Sequence, residues 1–136
     1  MIRIVCFFIV LLFFQGTIPA QPLVGMKKAD IISYMKLNLP GFAQDNSIVN
    51  KQYNYLKYYD RTNEETILCF LSEDDKCYVL RRMSDYSNLE NTIKKLDNEY
   101  KRTGTDTWSF IIDKDEFVVE LKRDKWYFTI ETKRKK

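Results

Sequence analysis

Two cysteines in the middle of the chain, Cys69 and Cys77, are the side chains best suited to covalent chemistry. They lie in the apolar segments 65–71 and 77–83, which flank the acidic stretch 72–75, and this pattern predicts a β-hairpin. Their even separation places both on the same face of the hairpin. Directly opposed cysteines can form a disulfide, whereas diagonal neighbours lie about 7 Å apart, too far for a Cβ spacing of about 4 Å. The sequence therefore leaves two alternatives open, a disulfide or two buried, inert thiols.

The chain contains no histidine, and this limits the enzymatic chemistry that it can support. Ser-His-Asp and Cys-His nucleophiles, and zinc sites with imidazole ligands, cannot be built without it. We therefore assign no catalytic residue, metal ligand or cofactor. A small hydrolase that works through carboxylates is the alternative, and it requires that two glutamates converge in a concave pocket. The candidates are Glu64, Glu65, Glu116, Glu120 and Glu131.

Three acidic clusters, residues 64–65, 73–75 and 113–116, contain oxygen ligands of the kind that calcium prefers. None has the spacing of a calcium-binding loop, and two of them fall at predicted hairpin turns, where aspartate is common. We expect solvated turns at these positions.

A tyrosine-rich segment, residues 52–59, is the candidate surface for a partner. It predicts a β-strand in which Tyr53, Tyr55 and Tyr59 share one face. Tyrosine offers a large contact area at a low cost in side-chain entropy, which suits recognition, although packing within a sheet favours tyrosine as well. A strand of this kind at a sheet edge could also accept a partner strand.

The N-terminal segment predicts that the protein is exported. Residues 4–14 form an uninterrupted apolar run, shorter than the about 20 residues of a membrane-spanning helix but suited to the core of a signal peptide. Polar residues follow, and Ala20 is the small residue that a signal peptidase requires. We predict that residues 1–20 are a cleavable signal peptide and that residues 21–136 form a single α+β domain, periplasmic or extracellular. An uncleaved membrane anchor is the alternative.

Positive and negative charges are nearly balanced in the chain. It has 22 basic and 19 acidic residues, and 21 basic residues remain once Arg3 is removed with the signal peptide. A nucleic-acid-binding protein depends on a basic face, so nucleic acid is not expected as a partner. The four basic residues at positions 133–136 predict a solvated tail, with contact to anionic lipid or polysaccharide as the alternative.

Two helices are predicted from apolar periodicity. The first covers residues 26–37, and a Pro-Gly pair ends it. The second has Ser87 and Glu90 spaced as a capping box at its start and Gly104 just beyond its end. The apolar residues are Met26, Ala29, Ile32 and Met35 in the first helix, and Leu89, Ile93, Leu96 and Tyr100 in the second.

The last third of the chain predicts three strands, because apolar and polar residues alternate in it. The apolar residues are Trp108, Phe110 and Ile112, then Phe117, Val119 and Leu121, then Trp126, Phe128 and Ile130. These residues share one face only if each even-numbered apolar residue lies opposite an odd-numbered one in the next strand. The numbers of two opposed residues must therefore add up to an odd value. The predicted pairs are Phe110–Val119, Val119–Ile130 and Leu121–Phe128, with loops of two or four residues at 113–116 and 123–126.

These elements predict an α+β fold in the order α-β-β-β-α-β-β-β, an antiparallel sheet with two helices packed on one face. Gly25-Met26 opens the first helix, and a run from Asp75-Lys76-Cys77 continues through the second helix to Trp108. In these features the chain resembles small exported α+β proteins of uncharacterised function of the Bacteroidetes type. In outline it is also similar to β-lactamase-inhibitor-like modules, and this resemblance implies a function in binding.

The leading hypothesis is therefore an exported, non-enzymatic binding module. Its partner would be a protein or another component of the cell envelope, contacted through the exposed face of the sheet or the tyrosine-rich strand. A structural protein of the envelope without a small ligand is a further alternative.

Overall fold

An antiparallel sheet of eight strands forms the framework of the protein in the computed structural model, which describes residues 23–47 and 53–136. The predicted signal peptide lies outside these residues. The helices are α1 (Lys28–Asn38) and α2 (Leu89–Glu99), and the strands are β1 (Ala43–Gln44), β2 (Tyr55–Asp60), β3 (Glu65–Leu71), β4 (Cys77–Asp85), β5 (Lys101–Arg102), β6 (Thr107–Ile112), β7 (Asp115–Arg123) and β8 (Tyr127–Arg134). Neither helix of the described stretches is long and apolar enough to cross a membrane.

The order of strands in the sheet is β1-β2-β3-β4-β8-β7-β6-β5. Two four-stranded meanders therefore meet at the pairing of β4 with β8, which runs from Val79↔Lys133 to Asp85↔Tyr127. This arrangement confirms an α+β fold with an antiparallel sheet and two helices. The predicted element order lacked β1 and β5, because two exposed residues give no alternating pattern.

The predicted apolar stripe of helix α1 is only partly buried, because Met35 packs in the core and Met26 packs against it, whereas two other members are exposed. Ile31 and Met35, four residues apart, are almost fully buried, whereas Ile32 is 36% exposed and Ala29 is also exposed. A spacing of four follows the helical repeat more closely than the predicted spacing of three. The short apolar segment allowed both interpretations.

Helix α2 follows the predicted apolar stripe, but its ends differ from the prediction. A 3₁₀ turn, Tyr86–Asn88, precedes it, and the Asp85 carboxylate accepts a hydrogen bond from the backbone N–H of Ser87 at 2.8 Å. Ser87 is therefore part of a turn capped by Asp85 and does not cap α2. Gly104 lies in the turn between β5 and β6, since the chain leaves α2 directly into β5.

In the last strands the apolar residues face one another across the sheet as predicted, but each pairing is shifted by two residues from the predicted register. Phe110 pairs with Phe117, and Leu121 pairs with Ile130. The loop between β6 and β7 consists of two residues, Asp113 and Lys114, with φ of 49° and 72°. This is the left-handed geometry that two-residue hairpin loops prefer. Trp126, predicted to face the core, is 75% exposed in the loop between β7 and β8.

The apolar core consists of two clusters, and the pairing register places the strand residues of both clusters on one face of the sheet. One contains Ile31 and Met35 of α1 together with residues of β2, β3 and β4 and Phe117; the other contains Leu96 of α2 together with residues of β6, β7 and β8. Phe110 packs against both clusters, and its ring stacks on Phe117 at 5.1 Å and on Tyr100 at 4.6 Å. We call the opposite side of the sheet the outer face.

Candidate functional site

The tyrosines predicted as a partner surface lie on or beside the outer face. Tyr55 and Tyr59 alternate with the buried residues of β2, so they point away from the core. Tyr53 precedes the strand, which begins three residues later than predicted. Tyr53 and Tyr59 are 58% and 39% exposed, and the ring of Tyr55 lies 6.2 Å from that of Phe70.

An apolar surface extends from these tyrosines across β3 and β4. Tyr55 pairs with Phe70, and Phe70 pairs with Val79, so the three side chains form one row across the strands. The Arg81 guanidinium lies 5.0 Å from the centre of the Phe70 ring, within the range of a cation–π contact. We call this surface the aromatic patch, and its members are Tyr55, Tyr59, Leu68, Phe70, Val79 and Met83.

Sequence reasoning found only the tyrosines of the aromatic patch. The sequence of β3 contains a signal for the other members, because every residue from Ile67 to Leu71 is apolar, on both faces of the strand. Ile67, Cys69 and Leu71 are buried in the core, whereas the intervening residues belong to the outer face. A strand that is apolar on both sides indicates either that the protein covers both sides or that one side binds a partner.

The outer edge of β2 is already paired over part of its length. Ala43 and Gln44 of β1 pair with Tyr59 and Tyr58, and the backbone N–H of Asp45 donates to the carbonyl oxygen of Lys57 at 2.8 Å. A partner strand therefore cannot add to this stretch of β2 without displacing β1.

The other half of the outer face is mainly polar and centres on Glu131, although Ile111 and Val118 also lie on it. This carboxylate is 7% exposed, and three cations surround it, with Arg81 Nε at 2.8 Å, Lys122 Nζ at 3.4 Å and Lys133 Nζ at 3.8 Å. Burial raises the pKa of Glu131, but the hydrogen bond from Arg81 and the nearby positive charges outweigh burial, so its pKa lies below the ordinary value.

The five glutamates of the hydrolase hypothesis are spread over the sheet. Glu120 and Glu131 are cross-strand neighbours on the outer face, and Glu116 pairs with Lys135. Glu64 lies in the turn between β2 and β3 with φ of 52°. Of the five, Glu65 alone lines a pair of neighbouring cavities in the described part of the chain.

Cys69 and Cys77 are buried, free thiols. Cys69 pairs with Leu80 and Cys77 with Leu71, and the register shifts between Phe70 and Leu71, so the two cysteines are diagonal neighbours. A hydrogen bond with Cys77, and then burial, raise the pKa of the Cys69 thiol. Since the thiolate is the reactive form, this environment makes Cys69 a poor nucleophile.

Two of the four basic C-terminal residues are part of the sheet, although all four are exposed. Lys133 and Arg134 belong to β8, and Arg134 forms an ion pair with Asp115 at 2.5 Å. The backbone N–H of Lys135 donates to the carbonyl oxygen of Glu116 at 2.8 Å. Arg134 and Lys135 are therefore paired with acidic side chains of the neighbouring strand β7, and Lys133 is paired with Glu131 of β8 itself.

A cleft lies on the core side of the sheet, where residues of both helices line it. Its inner chamber has a volume of about 300 Å³, and its outer groove a volume of about 620 Å³. Residues that the two have in common connect them. These residues are Asn38, Leu39, Glu65, Arg82, Thr92 and Lys95.

An ion pair lies where the inner chamber meets the outer groove. Arg82 Nη2 and Nε donate to one oxygen of Glu65, at 2.7 and 3.2 Å, and the Ser84 hydroxyl lies 3.3 Å from the other. The amide nitrogen of Asn88 in turn donates to Ser84 Oγ at 3.1 Å. Sequence reasoning named Glu65 as a candidate pocket carboxylate but missed Arg82 and Ser84, although the core-facing positions of Glu65 and Arg82 in adjacent strands were a detectable signal.

Within the described stretches, no group of three or more cysteine, aspartate or glutamate side chains is arranged to hold a metal ion. The structure thus offers two surfaces suited to non-covalent recognition, the aromatic patch and the cleft. Comparison of the chain with protein-family models, with curated proteins and with solved structures found no match.

Proposed function

We propose that this chain is an exported, non-enzymatic binding module that contacts a protein of the cell envelope or the extracellular space through the aromatic patch. The observation that carries the proposal is the chemistry of β3 and β4. Leu68, Phe70 and Val79 are apolar and only partly buried on the outer face, while alternate residues of the same strands fill the core. Export rests on the apolar run at residues 4–14.

We infer that both helices cover the same side of the sheet, which leaves the aromatic patch uncovered by helix. Phe117 packs in the cluster of α1, whereas Val119 and Leu121 pack in the cluster of α2. These three alternate residues of β7 share one face, so the two helices lie over that face as well. The residues of the aromatic patch alternate with the buried residues of their strands, so they lie on the opposite face of the sheet.

The composition of the aromatic patch suits a protein partner. Tyrosine and arginine are enriched among the residues that contribute most to interfaces, because they combine apolar area with a polar group. The two cations beside the patch are already paired, Lys57 with Asp45 at 3.2 Å and Arg81 with Glu131 at 2.8 Å. The partner surface is therefore expected to be mainly apolar, with polar groups at its rim.

Site-specific crosslinking tests this proposal. We would replace Tyr59 with a photo-crosslinking phenylalanine analogue and, in a matched control, place the same analogue at Ile111, which is 71% exposed on the other half of the outer face. Cells of the native host would then be irradiated. A discrete adduct is expected from position 59 and not from position 111.

A second substitution establishes whether the patch itself causes the adduct. Phe70→Ser in the crosslinking variant should lower its yield at least tenfold, whereas Val118→Ser on β7 should leave the yield unchanged. Equal crosslinking from both positions, or a yield that Phe70→Ser does not change, contradicts the proposal. N-terminal sequencing of the protein from the native host tests export, for which we expect Gln21 as the first residue.

A further inference from the structure

We propose that the cleft between α1 and α2 binds an uncharged amphiphile, with its hydrocarbon tail in the inner chamber and a hydroxyl-rich head in the outer groove. This site lies on the core side of the sheet, away from the aromatic patch, and it does not depend on the function proposed for that patch. The ligand class follows from the shape of the cleft, from the walls of the chamber and from the polar groups of the groove.

The inner chamber has mainly apolar walls. Leu80 of β4, Leu96 of α2 and Phe128 of β8 line it, as do Val119 and Ile130. Protein interiors are normally packed without voids larger than a water molecule, since an empty apolar space forgoes dispersion contacts. A chamber of about 300 Å³ lies at the lower end of the range for small-ligand pockets, about 300–1,000 Å³. It suits a single hydrocarbon chain.

The outer groove differs from the chamber because five asparagines contribute to its polar lining, beside five charged residues and Thr92. Three of its asparagines use their amide nitrogens within the protein: Asn38 donates to the Tyr34 carbonyl, Asn63 to Asp60 and Asn88 to Ser84. Their side-chain oxygens are left as acceptors. Asn91 and Asn98 line the groove from α2 and are exposed.

Amide groups of this kind match hydroxyl groups in particular. Each asparagine offers both donors and acceptors, and a hydroxyl needs both. Arg82 adds a further donor, because its Nη1 is not one of the two nitrogens that hold Glu65. The groove therefore presents several independent partners to a head group with several hydroxyls.

The charges of the inner chamber cancel. Arg82 and Lys95 carry positive charge there, and Glu65 and Glu99 carry negative charge. The outer groove adds Asp60, which is held by its own turn, and Lys94, which pairs with Glu90 at 3.3 Å. A strongly charged head would meet charges of its own sign as well as opposite charges, so a neutral head is favoured.

Calorimetry with simple detergents tests the ligand class. The protein would be titrated with decyl maltoside below its micelle concentration, with maltose, with decanoate and with decyltrimethylammonium. We expect one molecule of decyl maltoside to bind, at least tenfold more tightly than either charged decyl compound, and maltose alone to bind much more weakly. Equal binding of the three decyl compounds, or no binding of decyl maltoside, overturns the proposal.

Substitutions then locate the site. Val119→Phe, which fills the chamber, and Thr92→Trp, which narrows its junction with the groove, should each weaken decyl maltoside binding at least tenfold. Thr92 lies on the partly exposed side of α2, so its variant tests the tail site even if Val119→Phe fails to fold. Asn91→Leu with Asn98→Leu should weaken binding several-fold, whereas the exposed control Asn46→Leu should not. Binding unchanged by both tail-site variants, or weakened equally by Phe70→Ser on the outer face, contradicts the assignment.

Discussion

The outer face of the sheet differs between its two halves. On β2, β3 and β4 it carries the aromatic patch, in which Tyr55, Phe70 and Val79 form a row across the strands. On β7 and β8 the outer face carries Glu120, Lys122 and the buried Glu131 instead. The cores beneath are similar, because each half packs a helix and its own apolar cluster. Folding alone needs the apolar residues of the core, so the additional ones on the first half point to recognition.

The largest expected effect concerns the cores, where we expect the two halves to be alike. Trp108, which is fully buried in the α2 cluster, donates from Nε1 to Asp97 Oδ1 at 2.8 Å. Trp108→Ala should lower the free energy of unfolding by about 4 kcal/mol, and Ile67→Ala in the α1 cluster by about 3 kcal/mol. Urea denaturation measures both values. A loss of under about 1 kcal/mol in one half would show that only the other half has a packed core.

The next effect distinguishes the polar half. Glu131→Gln removes the charge that Arg81, Lys122 and Lys133 surround, so we expect a loss of about 2 kcal/mol at pH 7. Because the folded pKa of Glu131 lies below its ordinary value of 4.5, its contribution is complete well above pH 4.5 and disappears as the pH falls through the lowered folded pKa.

The measurement is urea denaturation of both proteins from pH 7 to pH 2. The gap between wild type and Glu131→Gln should narrow below about pH 4.5. Other acidic residues with lowered pKa values, such as Asp45 at about 2, contribute equally to both curves and cancel in the difference. A gap that stays constant over this range would mean that the carboxylate charge does not stabilise the fold.

A smaller effect on stability is expected in the aromatic half. Phe70→Ser removes a half-buried ring, so the loss should be roughly 1 kcal/mol, measured by urea denaturation at pH 7. The loss should also be independent of pH between 7 and 3, in contrast with Glu131→Gln. A loss of several kcal/mol would instead identify Phe70 as a core residue and weaken the case for a partner surface.

The spacing of apolar residues was sufficient to predict the antiparallel sheet and the two helices. It determined the parity of pairing between β6, β7 and β8, but not the register, because a shift of two residues keeps every side chain on its face. The register follows instead from the two-residue turn at Asp113 and Lys114. Likewise, a bulge between Phe70 and Leu71 sets the diagonal placement of the cysteines. No residue type in the sequence indicates this bulge.

The two candidate sites were less predictable, and for different reasons. The cleft combines Asn38, Glu65 and Thr92, which are brought together only when both helices pack on the sheet. The aromatic patch was partly found through Tyr55 and Tyr59. Its remaining members resemble core residues in the sequence, since a pattern of apolar residues on both sides of a strand does not show which side is covered.

The smallest expected effect concerns a buried hydroxyl in the core of the aromatic half. Tyr58 is 3% exposed, and its hydroxyl has no hydrogen-bond partner among the described residues. Burial, and the nearby Cys69, raise the pKa of Tyr58, so the phenol stays neutral.

A buried polar group without a partner is destabilising, and Tyr58→Phe removes it with almost no change in shape. We expect a gain of up to about 1 kcal/mol in urea denaturation, whereas Tyr59→Phe on the exposed side of the same strand should change stability by less than about 0.5 kcal/mol. A loss of more than about 1 kcal/mol in Tyr58→Phe would mean that the hydroxyl is satisfied in solution, and that the core beneath the aromatic patch contains a polar contact, as the core of the other half does between Trp108 and Asp97.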